Sequence, residues 1–264
     1  MTRSNDDGTA LVAAAAALLG LSVLADSAME HYRGSFHNKA MVLPLVAAGM
    51  TIGASALARP ARASARRAVL ANAAHDVAMV TGAAGFAFHA YNVGKRPGSL
   101  SWENLFHAAP IGAPFALTLA GLIGRLARRP DRRHAGTLAT VAAVGIAGSA
   151  AEAGLLHLRG AYQNPAMVLP VVVPPIAAVT LGLAARAPDG RLDRAARWLL
   201  KGTAALGVLG AGFHAVGIAR RMGGWANWSQ NLLAGPPLPA PPSFTALALA
   251  GLAALRQLRG SRHD

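Results

Sequence analysis

Four histidines occur as two matched pairs, and pairing is what gives them chemical interest. Residues 31–44 read HYRGSFHNKAMVLP and residues 157–170 read HLRGAYQNPAMVLP, 126 positions later, with nine of fourteen residues identical. His89, in GFAFHA, matches His214, in GAGFHA, 125 positions on. Asp26 and Glu152 stand five residues before His31 and His157. Imidazole pairs on neighbouring helices hold haem b or a non-haem metal ion, with a neutral ring nitrogen as donor and a nearby acid able to fix the tautomer. Two pairings are open: His31 with His89 and His157 with His214, one site per half, or His89 with His214 across a pseudo-twofold axis. Asp26 and Glu152 then serve as metal ligands, as partners of the ligating rings or as proton acceptors.

The same motif has a reading without a cofactor. Arg33 and Arg159, with His31 and His157, meet lipid phosphates, while Asn38 and Asn164 cap the helix that follows. Gly34 and Gly160 reverse the chain. The protein is then a membrane anchor or assembly factor that docks a periplasmic partner. A third reading is a small-ligand transporter working around Asp76 and Lys201. These two occupy matched positions on the third and seventh apolar segments and are expected to form an ion pair where those segments meet, since a lone charge in hydrocarbon is costly. His75 and His89 are 14 residues apart, nearly four turns on one helix face. A two-haem arrangement would need that spacing, but Leu200 stands where the second half would need a partner for His75.

These residues are set in a chain that is 53% hydrophobic and 14% charged, against about 25% charged for a soluble domain. Eight apolar stretches stand out, at 11–25, 40–58, 69–93, 108–123, 135–156, 166–185, 198–219 and 242–255. Each approaches the ~20 residues that cross a bilayer as a helix. The expected fold is all-α, a polytopic bundle of eight transmembrane helices in two tandem parallel repeats, residues 1–129 and 130–264. The first stretch is not read as a signal peptide, because its counterpart lies mid-chain. Two four-helix halves that each carry a histidine pair resemble the outline of the haem A synthases. The Glu-x-x-His-Arg run of that family is missing, since Glu30 and His31 are adjacent.

The net charge of +14 maps to topology. Arg59, Arg62, Arg66, Arg67, Arg125, Arg128, Arg129, Arg132, Arg133, Arg186, Arg191, Arg194 and Arg197 fall in alternate connections, with Arg256 and Arg259 in the tail. By the positive-inside rule these are cytoplasmic, with both termini, in a bacterial inner membrane. The histidine motif is then periplasmic, where a quinone or a periplasmic redox protein would exchange electrons with it. Membrane lipid is the other partner, and nucleic acid is excluded. The absence of cysteine excludes disulfides, thiolate-held iron–sulfur clusters and c-type haem attachment. Pro44, Pro170, Pro174 and Pro175 are expected inside helices, freeing carbonyls that need other partners. Pro110, Pro114, Pro237 and Pro241 are expected near helix starts.

Overall fold

The computed structural model describes residues 3–57, 64–107, 110–128, 131–186 and 190–260. Arg59, Arg62, Arg129, Arg262 and His263 lie outside them. Every regular element among the described residues is helical. Helix α1 spans Arg3–Arg33, α2 Leu43–Ala56, α3 Ala65–Gly94, α4 Trp102–His107 and α5 Gly112–Leu126. Helix α6 spans Arg132–Arg159, α7 Leu169–Arg186, α8 Gly190–Ala219, α9 Trp228–Ala234 and α10 Pro242–Gly260. Short 3-10 turns at Lys39–Val42 and Pro165–Val168 lead into α2 and α7.

Among the described residues, five segments are long and apolar enough to cross a membrane: Gly8–Arg33, Lys39–Ala56, Arg133–Arg159, Pro165–Arg186 and Gly190–Ala219. Large apolar side chains face outward in mid-helix, among them Val80, Val179 and Val208 at 69, 62 and 64% exposed. Apolar residues so placed on several helices suit a lipid surround better than water.

In sequence order, α1 packs on α2, α2 on α3, α3 on α5 and α5 back on α1. Helices α6, α7, α8 and α10 close in the same way. The two groups meet where α1 lies along α10 and α5 touches α6. The main core is built there, from residues such as Val12, Leu19, Ile123, Leu138, Ile146, Leu247 and Leu255. The third and seventh apolar segments, α3 and α8, pack instead on their own neighbours. The expected meeting of Asp76 with Lys201 therefore does not occur: Asp76 pairs with Arg125 of α5 at 3.1 Å, and the Lys201 ammonium lies 4.6 Å over the Trp198 ring.

Glycine sets how closely α3 and α5 approach. A Cβ on Gly82 would stand 2.5 Å from the Thr118 amide nitrogen and 2.7 Å from the Pro114 carbonyl. On Gly207 it would stand 2.7 Å from the Thr245 nitrogen, where α8 meets α10. The Thr118 hydroxyl donates to the Met79 carbonyl at 3.3 Å, and that of Thr245 to Ala204 at 2.7 Å. Contact of small residues lets membrane bundles gain dispersion energy and interhelical hydrogen bonds without a hydrophobic drive.

The prolines correct one expectation. Pro44 and Pro170 stand in the first turns of α2 and α7, where a missing N–H costs least. Pro174 and Pro175 are inside α7 as expected.

Candidate functional site

The conserved geometry of the two motif copies starts with the turn after α1 and α6. Ser35 and Phe36 have φ of 56° and 47°, and Ala161 and Tyr162 have 56° and 46°. The chain thus reverses through two consecutive left-handed residues, not at the glycines. Gly34 and Gly160 serve otherwise: a Cβ on them would lie 3.1 and 3.3 Å from the methyl carbons of Met41 and Met167. Asn38 and Asn164 accept from the amides of Ala40 and Ala166, each at 2.9 Å, capping the 3-10 turns as expected.

This turn folds the chain back over the histidine. His31 Nδ1 lies 2.6 Å from the Met41 carbonyl and His157 Nδ1 lies 2.8 Å from that of Met167. Each ring meets the motif's aromatic side chain edge-on, with centroids 6.1 Å apart in both copies. His89 Nδ1 lies 2.7 Å from the Pro110 carbonyl, and His214 Nδ1 lies 2.8 Å from that of Pro237. A carbonyl only accepts, so Nδ1 carries the proton in all four rings. Nε2 then holds the lone pair of each neutral imidazole. All four side chains are half-buried, and among the described residues no protein donor reaches their Nε2 atoms.

Prolines explain the choice of acceptors. Pro44 and Pro170 stand three residues after Met41 and Met167, while Pro114 and Pro241 stand four after Pro110 and Pro237. A proline has no N–H to offer the carbonyl before it, and His31, His89 and His157 supply a donor to such a carbonyl, while the Pro237 carbonyl accepts both from His214 and from the Ala240 amide, the latter at 3.3 Å.

His31 and His89 are within electrostatic reach of each other, and so are His157 and His214. Of the two pairings left open, this proximity favours one pair per half. The acids lie between the halves. Asp26 of α1 and Glu152 of α6 interact electrostatically, and the Glu152 carboxylate accepts the amide of Gly112 at the start of α5. An acid at a helix N-terminus is favoured by the aligned peptide dipoles. Among the described residues no three His, Asp or Glu side chains gather closely enough to hold a metal ion.

The arginines differ between copies. Arg33 pairs with Glu30 one turn back. The position matching Glu30 is Leu156, and Arg159 donates instead to the Phe106 carbonyl of α4 at 2.9 Å. Two further buried residues, Asn104 and Asn231, shape the loops at this level. The buried Asn104 amide donates to the carbonyls of Pro97 and Ser99, and that of Asn231 to Met222 and Gly224. Comparison with protein-family models, curated proteins and solved structures returns no match.

Proposed function

We propose that this is an eight-pass protein of a bacterial inner membrane, built as two tandem four-helix halves with both termini cytoplasmic. Each half holds haem b or a metal ion at the periplasmic end through one imidazole pair, His31 with His89 and His157 with His214. The chain is then a redox subunit that exchanges electrons with quinone or a periplasmic protein. Bound there, haem iron supplies one-electron transfer. The residues supply two nitrogen donors per site, in a fixed tautomer and orientation.

The observation that carries this reading is the set of four Nδ1–H bonds to backbone carbonyls. Metal-bound histidines commonly donate their other ring N–H to a carbonyl or carboxylate, which fixes the ring and raises its basicity. A bis-imidazole haem would take two protein ligands, which each half offers, whereas a bare metal ion would need further ligands from water. The doubled scaffold is supported by the recurrence of each contact: the paired turns, caps, histidine bonds and glycine contacts all repeat 125–127 residues on. Eight passes require α3, α5 and α10 to cross as well. Helix α5 has 15 residues, about 22 Å at 1.5 Å per residue, so local thinning of the bilayer would have to accommodate it.

The proline-matched acceptors favour a second reading, in which the histidines only close the backbone and the periplasmic motif docks a partner. An absorption spectrum and elemental analysis of the detergent-purified protein separate the two. A Soret band or stoichiometric metal is expected. A colourless, metal-free protein that co-purifies with a periplasmic partner, lost on Arg159→Ala, favours the anchor.

A further inference from the structure

Between α6 and α7 runs an outward-facing groove of about 350 Å³. Its walls are apolar, with Ala143, Val144 and Ala147 from α6 and Val179 and Leu183 from α7. Val144, Val179 and Leu183 are exposed, so in a membrane the groove opens onto lipid. Thr140 lines it too, but its hydroxyl already donates to the Gly136 carbonyl at 3.2 Å. The charge comes from Arg186, in the last turn of α7, which lines the groove at the end away from the histidine motif.

The arginine is turned into the groove. Helical side chains lean toward the N-terminus of their helix, and a guanidinium nitrogen of Arg186 lies 3.8 Å from where a Cβ on Gly182 would stand. The guanidinium thus rests over the glycine one turn earlier. Among the described residues no carboxylate pairs with Arg186, whereas Arg125 has Asp76 and Arg197 has Asp193. A guanidinium held against an apolar groove in a membrane calls for a counter-charge.

The matched seam of the first half is built differently. Leu21 and Ile52 hold the positions of Ala147 and Ala178, and Pro60 holds that of Arg186. Ile52 reaches across to α1, where a Cβ on Gly20 would lie 3.2 Å from it. In the second half the bulk stands instead at the counterpart of Gly20, as Ile146, fully buried in the main core. Ala147 and Ala178 then leave the outer seam of α6 and α7 open.

We propose that this groove binds an anionic phospholipid, with one acyl chain along the apolar walls and the phosphate on Arg186. A guanidinium presents paired N–H donors that match two phosphate oxygens. A methylene chain gives the walls the dispersion contacts that an unfilled seam forfeits. A zwitterionic headgroup brings its own cation beside the phosphate, so basic pockets between membrane helices favour anionic lipids. The site rests on α6 and α7 lying in a membrane, which both are long and apolar enough to cross. It is independent of what the histidines hold.

Native mass spectrometry of the full chain in detergent, titrated with phosphatidylglycerol and with phosphatidylcholine, tests the site. One phosphatidylglycerol is expected to be retained in preference to phosphatidylcholine. Arg186→Gln is expected to weaken phosphatidylglycerol by about fivefold, the worth of one arginine beside an anionic lipid, and phosphatidylcholine less. Ala147→Leu takes the first half's residue, keeps the charge and narrows the groove, so it is expected to weaken both lipids. Arg194→Gln, on an exposed arginine of α8 outside the groove, is expected to change neither. Equal retention of the two lipids by the wild type, or equal losses from Arg186→Gln and Arg194→Gln, would overturn the proposal. So would a wild-type dimer that Ala147→Leu separates while lipid binding stays the same, since the groove would then hold a second copy of the chain. Thermal unfolding in lipid-free detergent checks that each variant is folded, and the cofactor spectrum is read separately.

Discussion

His89 donates its Nδ1–H to the Pro110 carbonyl at 2.7 Å, and Pro114, four residues on, has no N–H with which to compete. One imidazole therefore does two jobs: it satisfies a backbone acceptor through Nδ1 and leaves Nε2 free. These jobs separate by substitution. The side-chain amide nitrogen of asparagine can take the place of Nδ1 but nothing replaces Nε2. His89→Asn is expected to unfold within about 0.5 kcal/mol of wild type and to lose the cofactor of its half. His89→Ala strands the Pro110 carbonyl and is expected to cost about 1–3 kcal/mol. Equilibrium unfolding in detergent, read beside the absorption spectrum, checks both.

Gly82 and Gly207 set the spacing of α3 on α5 and of α8 on α10. Alanine at either position drives a methyl into the facing backbone, and overpacking of this kind costs about 1–3 kcal/mol or more. Gly49 and Gly148 meet nothing within 4 Å of a built Cβ. Alanine there is expected to be neutral, or stabilising by up to about 1 kcal/mol through helix propensity. A common unfolding assay on the four variants decides it.

Ala161 holds φ at 56°, a left-handed conformation that costs an L-residue roughly 1–2 kcal/mol and glycine almost nothing. Ala161→Gly is expected to raise stability by somewhat less than that, because glycine also gains entropy when unfolded. Unchanged or lower stability would show that the turn is held by something other than its backbone.

Asp76 pairs with Arg125, and Lys201 stands over Trp198. A double-mutant cycle on Asp76→Asn and Arg125→Met is expected to give a coupling of at least 0.5 kcal/mol. The same cycle with Lys201→Met in place of Arg125→Met is expected to be additive within about 0.3–0.5 kcal/mol.

The lengths of the apolar runs made the helical architecture legible. Among the described residues, each of the eight apolar stretches overlaps a helix of 14 or more residues, and the asparagine caps follow from an Asn placed just before a helix start. The helices also run past their apolar stretches. Helix α8 begins at Gly190 although its apolar run begins at 198, because Arg191, Arg194 and Arg197 continue the helix while their charges reach out or pair, as Arg197 does with Asp193 at 2.9 Å. Helices α4 and α9 are too short and mixed in composition to show a period. The Asp76–Arg125 pair depended on which helices are neighbours, which matched positions alone do not say. The link from histidine to proline was within reach of sequence: each acceptor stands three or four residues before a proline, and each donor is a matched histidine.

The most direct test is to count cofactors while removing lone pairs one half at a time. Haem or metal is measured per chain in the wild type, in His31→Asn/His89→Asn, in His157→Asn/His214→Asn and in the fourfold variant, with folding checked for each. Two per chain, then one, one and none, is the result expected of one imidazole pair in each half. A wild-type protein that is folded but carries neither chromophore nor stoichiometric metal, and is matched in every respect by the fourfold variant, would contradict the account and leave the histidines as donors to the backbone alone.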